Sequence, residues 1–81
     1  MARREARLRA PADFGLAVQQ ARLARGRSQA DLAAELHVTQ SAISEIESGK
    51  STIHLRRLLA LARATGIELT ASWSDDDAPG G

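Results

Sequence analysis

The segment from Ser28 to Gly49, SQADLAAELHVTQSAISEIESG, constrains the fold more than any other part of the chain. Ser28 and Thr39 are residues that often precede helices, because their hydroxyls accept a hydrogen bond from a backbone N–H of the first turn. After each of them apolar residues recur at helical spacing, and a glycine closes the segment. The segment therefore predicts two short helices. The first should end near Leu36, and a tight turn at His37 should separate it from the second.

The outward face of the second helix is polar but carries no basic residue. Projected at about 3.6 residues per turn, this face holds Gln40, Ser41, Ser44, Glu45 and Ser48. Because it lacks the Glu and Lys pairs that stabilise a solvated helix, it gains little as a plain surface. Gln can bond adenine through two hydrogen bonds, and Ser can bond either type of base. The face therefore predicts contacts with base edges in DNA, made by Gln40, Ser41, Ser44 and Glu45.

These residues resemble the helix-turn-helix of the lambdoid phage repressor and Cro proteins, the XRE family. The shared pattern is SQADLAxxL…TQSAISxIExGK, and with its flanking helices the resemblance covers Phe14 to Gly66. It implies a four-helix domain in which Gln29 opens the first helix of the motif and Ala33 is the small residue at the helix crossing. It also implies that Arg22 pairs with Glu47.

The turn of the motif departs from the family pattern at His37. The family usually has glycine there, where a positive φ is expected. A residue with a Cβ seldom adopts positive φ, although His is among those that tolerate it. We therefore expect His37 in the left-handed region.

Three polar residues around the motif are predicted to contact DNA phosphates: Gln29, Thr39 and Lys50. Lys50 lies in the loop after the second helix, where a cation can meet a phosphate. Phosphate contacts position a protein on the duplex and carry no sequence information directly. We therefore expect these three residues to support affinity, whereas the exposed face of the helix supports specificity.

Two further helices complete the expected domain. The first should run from about Pro11 to Arg25 and end at Gly26, with Phe14, Val18 and Ala21 facing inward. The last should follow the GKS loop, capped by Ser51 or Thr52, and end at Gly66. Its apolar stripe is Leu55, Leu58, Leu59 and Ala62. Its polar face, with His54, Arg56, Arg57 and Arg63, is predicted to be solvated.

The first ten residues, MARREARLRA, carry four Arg and one Glu, although the 81-residue chain has a formal net charge of only +1. Two interpretations are open. The segment is a frayed terminus, or it is a basic arm that reaches DNA phosphates or the minor groove through its arginines.

Beyond Gly66 the apolar pattern changes from helical to alternating, which predicts a β-strand over residues 67–73. Its apolar residues are Ile67, Leu69, Ala71 and Trp73. A single strand needs a pairing partner, which the rest of this sequence is not expected to supply, and a second copy of the chain would supply one. This extension resembles the HipB-like antitoxins, in which the strand pairs across a two-fold axis. Residues 74–81, SDDDAPGG, form an acidic tail that is expected to be disordered.

Several classes of function find no support in the sequence. The chain has no Cys and only two His, neither with a metal-ligand or catalytic companion. No apolar run approaches the roughly 20 residues that span a bilayer. The Arg-rich start lacks the apolar segment of a secretion signal. No nucleophile and base pair, carboxylate dyad or phosphate-binding loop can be assembled. We therefore expect a cytoplasmic, nucleoid-associated protein that is not an enzyme and has no cofactor or metal.

The predicted fold is all-α: a four-helix, repressor-like helix-turn-helix domain with a short C-terminal dimerisation strand. Its parts are a basic arm (1–10), the DNA-binding domain (11–66), the strand (67–73) and the acidic tail (74–81). The predicted function is a homodimeric repressor that binds double-stranded operator DNA. The resemblance implies that it is the antitoxin of a HipA-like kinase toxin and autoregulates its operon. The alternative is a stand-alone XRE-type repressor.

Overall fold

The computed structural model describes residues 2–50 and 52–74 of the chain. In chain order its elements are β1 (Arg3–Arg7), α1 (Pro11–Ala24), α2 (Gln29–Leu36), α3 (Gln40–Glu47), α4 (Ile53–Thr65) and β2 (Thr70–Ser74). The predicted mainly helical fold with a C-terminal strand is confirmed. The acidic tail was expected to be disordered from residue 74, but Ser74 is the last residue of β2. Residues 75–81 lie outside the described residues.

The helices begin where side-chain oxygens can accept hydrogen bonds from the first turn. The hydroxyls of Ser28, Thr39 and Thr52 accept from the backbone N–H three residues later, at 2.9, 3.0 and 3.2 Å. At the start of α1, Asp13 accepts instead from two N–H groups that precede Pro11, at 2.9 and 3.0 Å. Local residues thus decide where each helix starts.

All four helices end in the same Schellman arrangement, in which a left-handed residue follows the last turn. The left-handed residues are Gly26, His37, Gly49 and Gly66, with φ of 69°, 58°, 89° and 78°. The residue after each of them donates its backbone N–H to a carbonyl five positions earlier, at 2.8 to 3.2 Å. His37 therefore occupies a position that glycine occupies at the other three ends, as expected.

The core is small and centres on α1, which packs against α3 on one side. The buried apolar residues are Ala17, Ala33, Ile43, Leu59 and Ala62. Three of these five are alanines, so the helices approach closely but bury little apolar volume. Hydrophobic stabilisation scales with apolar area removed from water, so this core alone is modest.

The two ends of the chain form an antiparallel sheet. β1 pairs with β2 in a register that places Arg3 opposite Ser74 and Arg7 opposite Thr70. The backbone N–H of Leu8 extends the ladder by donating to the carbonyl of Leu69 at 2.8 Å. The expectation that the C-terminal strand lacks a partner within its own chain was therefore wrong. The strand also starts at Thr70 rather than at residue 67.

The sequence of β1 explains why neither interpretation of the N-terminal segment included a strand. Its five residues, RREAR, have no apolar alternation and a composition that strands usually lack. Charged residues of this kind are typical of exposed edge strands, where they oppose further pairing. The pairing becomes apparent only when β2 lies beside it.

The sheet covers the face of α1 opposite to the one that meets α3. Gly15 and Arg22 are seven residues apart on one face of α1 and approach α3. Gln20 and Ala24 lie roughly opposite, where they line a groove together with Trp73. Trp73 thus packs on its own chain. The arginines of β1 lie on the far side of α1 from α3.

Candidate nucleic-acid interface

The two helices of the motif are connected by a turn with a defined geometry. At the end of α2, Val38 donates its N–H to the carbonyl of Ala33 at 3.0 Å, and His37 donates to Ala34 at 3.4 Å. His37 has φ 58° and ψ 41°. Thr39 follows this turn and caps α3, which begins at Gln40. These bonds satisfy two of the last carbonyls of α2 and end the helix, so that the chain turns toward α3.

The outward face of α3 carries the polar residues that were predicted to contact bases. Gln40, Ser41, Ser44 and Glu45 are all exposed, as is Ser48, whereas Ile43 behind them is buried. The hydroxyl of Ser48 donates to the carbonyl of Glu45 at 2.9 Å. The Glu45 carboxylate is 3.8 Å from the Lys50 ammonium group. This face therefore presents hydrogen-bonding groups with little local positive charge.

A buried ion pair holds the back of α3 against α1. Arg22 donates from Nε to Glu47 Oε2 at 2.7 Å and from Nη2 to Oε1 at 3.0 Å. The two side chains are only 9% and 3% exposed. Such a bidentate contact is strong and directional, so it fixes the orientation of α3 relative to α1.

Two further hydrogen bonds join the same network to α2 and to the loop before it. Gln29 donates from Nε2 to Glu47 Oε1 at 3.0 Å, and Arg22 donates from Nη1 to the carbonyl of Arg27 at 2.8 Å. The hydrogen bond from Arg22, the larger cause, and the bond from Gln29 hold the pKa of Glu47 below its usual value, although burial opposes them. The hydrogen bond to Glu47 raises the pKa of Arg22. Both groups therefore stay charged in the fold.

Gly15 is a second support for α3, and the sequence interpretation did not include it. A Cβ at this position would lie 2.1 Å from the carbonyl oxygen of Ile46 and 2.9 Å from that of Glu47. Only glycine lets the backbones of α1 and α3 approach this closely. The signal was available in the sequence, because a glycine inside a helix costs about 1 kcal/mol relative to alanine and needs a reason.

The predicted phosphate-contacting residues surround the exposed face of α3. Thr39 and Lys50 are exposed, at the start of α3 and just beyond its end. Gln29 is half-buried, and its side-chain amide is directed at Glu47. At the first helical position of α2, however, the backbone N–H of Gln29 has no acceptor within the helix.

The predicted dimerisation residues fall into two groups. Leu69, Ala71 and Trp73 alternate on one side and are half-buried within their own chain. Ile67 precedes the strand and is 58% exposed. The alternation therefore marks the side of β2 that covers α1. A second chain would have to meet β2 along its edge.

Residues 2–50 and 52–74 contain neither a metal-binding cluster nor a membrane-spanning helix. No group of three or more His, Asp or Glu within them is placed to hold a metal ion. No helix within them has the length and apolar character needed to cross a bilayer.

Comparison with known proteins agrees with this geometry. The helix-turn-helix family HTH_3 matches residues 18–71, two thirds of the chain. No curated protein and no solved structure matches the chain. The matched residues contain α2, the turn at His37 and α3, as well as the Arg22–Glu47 pair that supports them. The chain belongs to the XRE-type helix-turn-helix family of DNA-binding transcription regulators.

Proposed function

We propose that the chain is a homodimeric repressor that reads operator DNA in the major groove through Gln40, Ser41, Ser44 and Glu45. The observation that carries the proposal is the contrast between the two sides of α3. Its outward side is exposed and rich in hydrogen-bonding groups, and its inner side is fixed by the Arg22–Glu47 pair. A rigidly held helix with such a face suits base recognition, because good bidentate contacts require exact placement.

The proposed phosphate contacts flank this face. Lys50 supplies a cation just beyond α3, and Thr39 supplies a hydroxyl at its start. Gln29 contributes its backbone N–H at the start of α2, because its side-chain amide is directed at Glu47. Such contacts position the protein and give salt-dependent affinity.

The proposed dimer forms along the edge of β2 that does not face β1. In the antiparallel ladder, Leu8 donates its backbone N–H to the carbonyl of Leu69 opposite it, so residues 71 and 73 also direct their backbone groups toward β1. The backbone groups of Thr70 and Ser72 consequently point to the other edge. An antiparallel strand from a second copy, with Ser72 opposite its counterpart, pairs along this edge. A two-fold axis permits this isologous contact, and it would bring two recognition helices to half-sites about one helical turn apart.

A selection of binding sites from a random DNA pool tests the operator proposal. The selected sequence should be palindromic. Gln40→Ala should relax the preference at particular base pairs, at a cost of about 1–3 kcal/mol for a good contact. Equal losses on selected and random DNA would contradict base reading by Gln40.

The phosphate role of Lys50 has its own test. Lys50→Ala should weaken binding to all sequences alike and reduce the salt slope by about one. Arg3→Ala removes the same charge from β1, on the far side of α1 from α3, and is the matched control. An equal effect of the two substitutions would show that Lys50 acts only through net charge.

We further propose that this repressor is the antitoxin of a HipA-like kinase toxin and regulates its own operon at the nucleoid. The strand after α4 and the acidic residues beyond it support this, since reading an operator does not require them. Leu58 and Leu61, both 61% exposed on α4, also favour burial by a partner. A stand-alone repressor is the alternative.

Co-expression with the neighbouring gene separates the two. A kinase-like protein recovered in equal amounts, and growth arrest when that protein is expressed alone, would support the antitoxin function. Leu58→Asp should then reduce recovery of the kinase and leave operator binding intact. If the protein encoded by the neighbouring gene neither binds this chain nor harms the cell, the stand-alone repressor would be supported.

A further inference from the structure

A groove of about 370 Å³ opens at the end of the sheet, where β1 leads into α1 and α4 leads into β2. Leu59 and Leu69 form part of its apolar lining, and three arginines lie around it: Arg7, Arg9 and Arg63. We refer to it as the arginine groove. Its one acidic lining residue is Glu68, whose Oε2 is 2.9 Å from Arg7 Nη2.

The arginine groove has an excess of positive charge. Three arginines and one glutamate leave a net charge of +2 among its lining residues. Arg63 donates from Nη2 to the backbone carbonyl of Arg9 at 3.2 Å, which orients its guanidinium without neutralising it. Among the described residues, Arg9 and Arg63 form no ion pair with a carboxylate. The groove therefore suits an acidic segment.

The chain contains one such segment, Asp75–Asp77, which follows β2 directly. In its own chain, however, β2 ends at Ser74, opposite Arg3 at the far end of the sheet from the groove. Thr70 and Ser74 are four residues apart, so the two ends of β2 are separated by about 14 Å at roughly 3.4 Å per residue. The acidic segment thus begins far from the groove of its own chain.

In the proposed dimer the acidic segment begins beside the other groove. With Ser72 opposite the partner's Ser72, the partner's Ser74 lies opposite Thr70. The partner's strand therefore ends next to residues 67–69. These three residues line the arginine groove. Antiparallel pairing therefore places the end of one copy's β2, which the three aspartates follow in the sequence, near the excess positive charge of the other copy.

We propose that Asp75–Asp77 of each protomer bind the arginine groove of its partner. This inference rests on the proposed homodimer and adds a reciprocal charge contact to it. Exposed ion pairs are individually weak and are screened by salt. The contact should therefore strengthen the dimer roughly tenfold at low ionic strength, since 1.4 kcal/mol from several such pairs is a factor of 10. Most of this gain should be lost near 1 M salt.

Two charge-reversed chains test whether the contact is made between copies. The tail variant carries D75K/D76K/D77K, and the groove variant carries R9E/R63E. In the homodimer of either variant, the tail and the partner's groove then carry charges of the same sign and repel each other. A mixed dimer restores attraction on both sides: lysines meet glutamates at one groove, and native aspartates meet native arginines at the other. Native mass spectrometry of an equimolar mixture should show about 80% mixed dimer or more, against the statistical half.

A control separates this contact from a simple difference in net charge. The variant R3E/R57E has the same net charge as the groove variant but leaves the groove intact, and Arg3 lies opposite Ser74 within one chain. In its equimolar mixture with the tail variant, the fraction of mixed dimer should stay near the statistical half.

The possible results are distinguishable. Statistical mixing of the tail and groove variants, with a wild type that sedimentation equilibrium shows to be dimeric, would overturn the groove contact and leave the dimer standing. Equal enrichment with the R3E/R57E control would also overturn it. A monomeric wild type would overturn both the dimer and the contact that rests on it.

Discussion

The helix-turn-helix unit and the terminal sheet lie on opposite faces of α1 and are stabilised in different ways. The first is joined to α1 by the Arg22–Glu47 pair, whose side chains are 9% and 3% exposed. At the sheet, Arg7 and Glu68 form an ion pair whose side chains are 51% and 69% exposed. Breaking a buried pair strands a charge away from water, whereas an exposed pair is replaced by solvent at little cost. The side of α1 that carries the helix-turn-helix should therefore be rigid, and the sheet should open more easily.

The largest expected change in stability follows from the removal of the Glu47 side chain. Glu47→Ala leaves Arg22 buried without its partner and should lower the free energy of unfolding by about 3–5 kcal/mol. Urea denaturation followed by circular dichroism measures it. Glu45→Ala, which removes an exposed carboxylate 3.8 Å from Lys50, is the control and should change the free energy by under about 1 kcal/mol. Similar losses for both would show that the buried pair has no special role.

Lowering the pH should weaken the same ion pair in the wild-type protein and so reduce its stability. The pKa of Glu47 is lowered in the fold, so the unfolded chain binds a proton more readily. The stabilisation is therefore complete above the ordinary pKa of Glu, about 4.3, and is lost as the pH falls through the lower pKa of the folded state. The free energy of unfolding of the wild type should decrease between pH 7 and pH 2, and that of Glu47→Ala should decrease less. Parallel curves would contradict the assignment to Glu47.

The next effect concerns the close approach of α1 and α3. Gly15→Ala places a methyl group against the carbonyl oxygens of Ile46 and Glu47, so the helices must separate. We expect a loss of about 1–3 kcal/mol, the range for overpacking, even though alanine favours helices. Leu16→Ala, at an exposed position of the same helix, should cost less. A stabilising Gly15→Ala would mean that the two backbones are farther apart.

The sheet should unfold before the helices. Trp73 is the only tryptophan, so its fluorescence reports on the sheet, whereas far-ultraviolet circular dichroism reports on the helices. The fluorescence transition should occur at a lower urea concentration, because local opening costs less than global unfolding. Deleting residues 2–7 should shift Trp73 emission to longer wavelength and leave most of the helical signal. Coincident transitions would show that the sheet and the helices unfold together.

The smallest effect is at the turn of the motif. His37→Gly should stabilise the fold by on the order of 0.4–1 kcal/mol, because glycine adopts φ 58° without the strain of a Cβ. Thermal unfolding measures it, and Gly66→Ala, at φ 78° in the same Schellman position after α4, should have the opposite sign. Destabilisation by His37→Gly would mean that the imidazole makes a contact worth more than the strain.

Local sequence determined the helices and the turn. Ser28, Thr39 and Thr52 begin helices through bonds to residues three positions away. The Schellman ends at the glycines and at His37 span only six residues. The polar face of α3 follows from helical periodicity alone. Such interactions depend on neighbours in the chain, so they could be predicted without the fold.

The tertiary structure alone decided which distant segments meet. β1 and β2 are about seventy residues apart, and the sequence of β1 has no strand pattern of its own. Only the packing of both ends on α1 brings them into register and turns Trp73 toward its own chain. The role of Gly15 depends likewise on where α3 crosses α1. These outcomes depend on the relative placement of whole elements, which burial and backbone hydrogen bonding determine once the helices pack together.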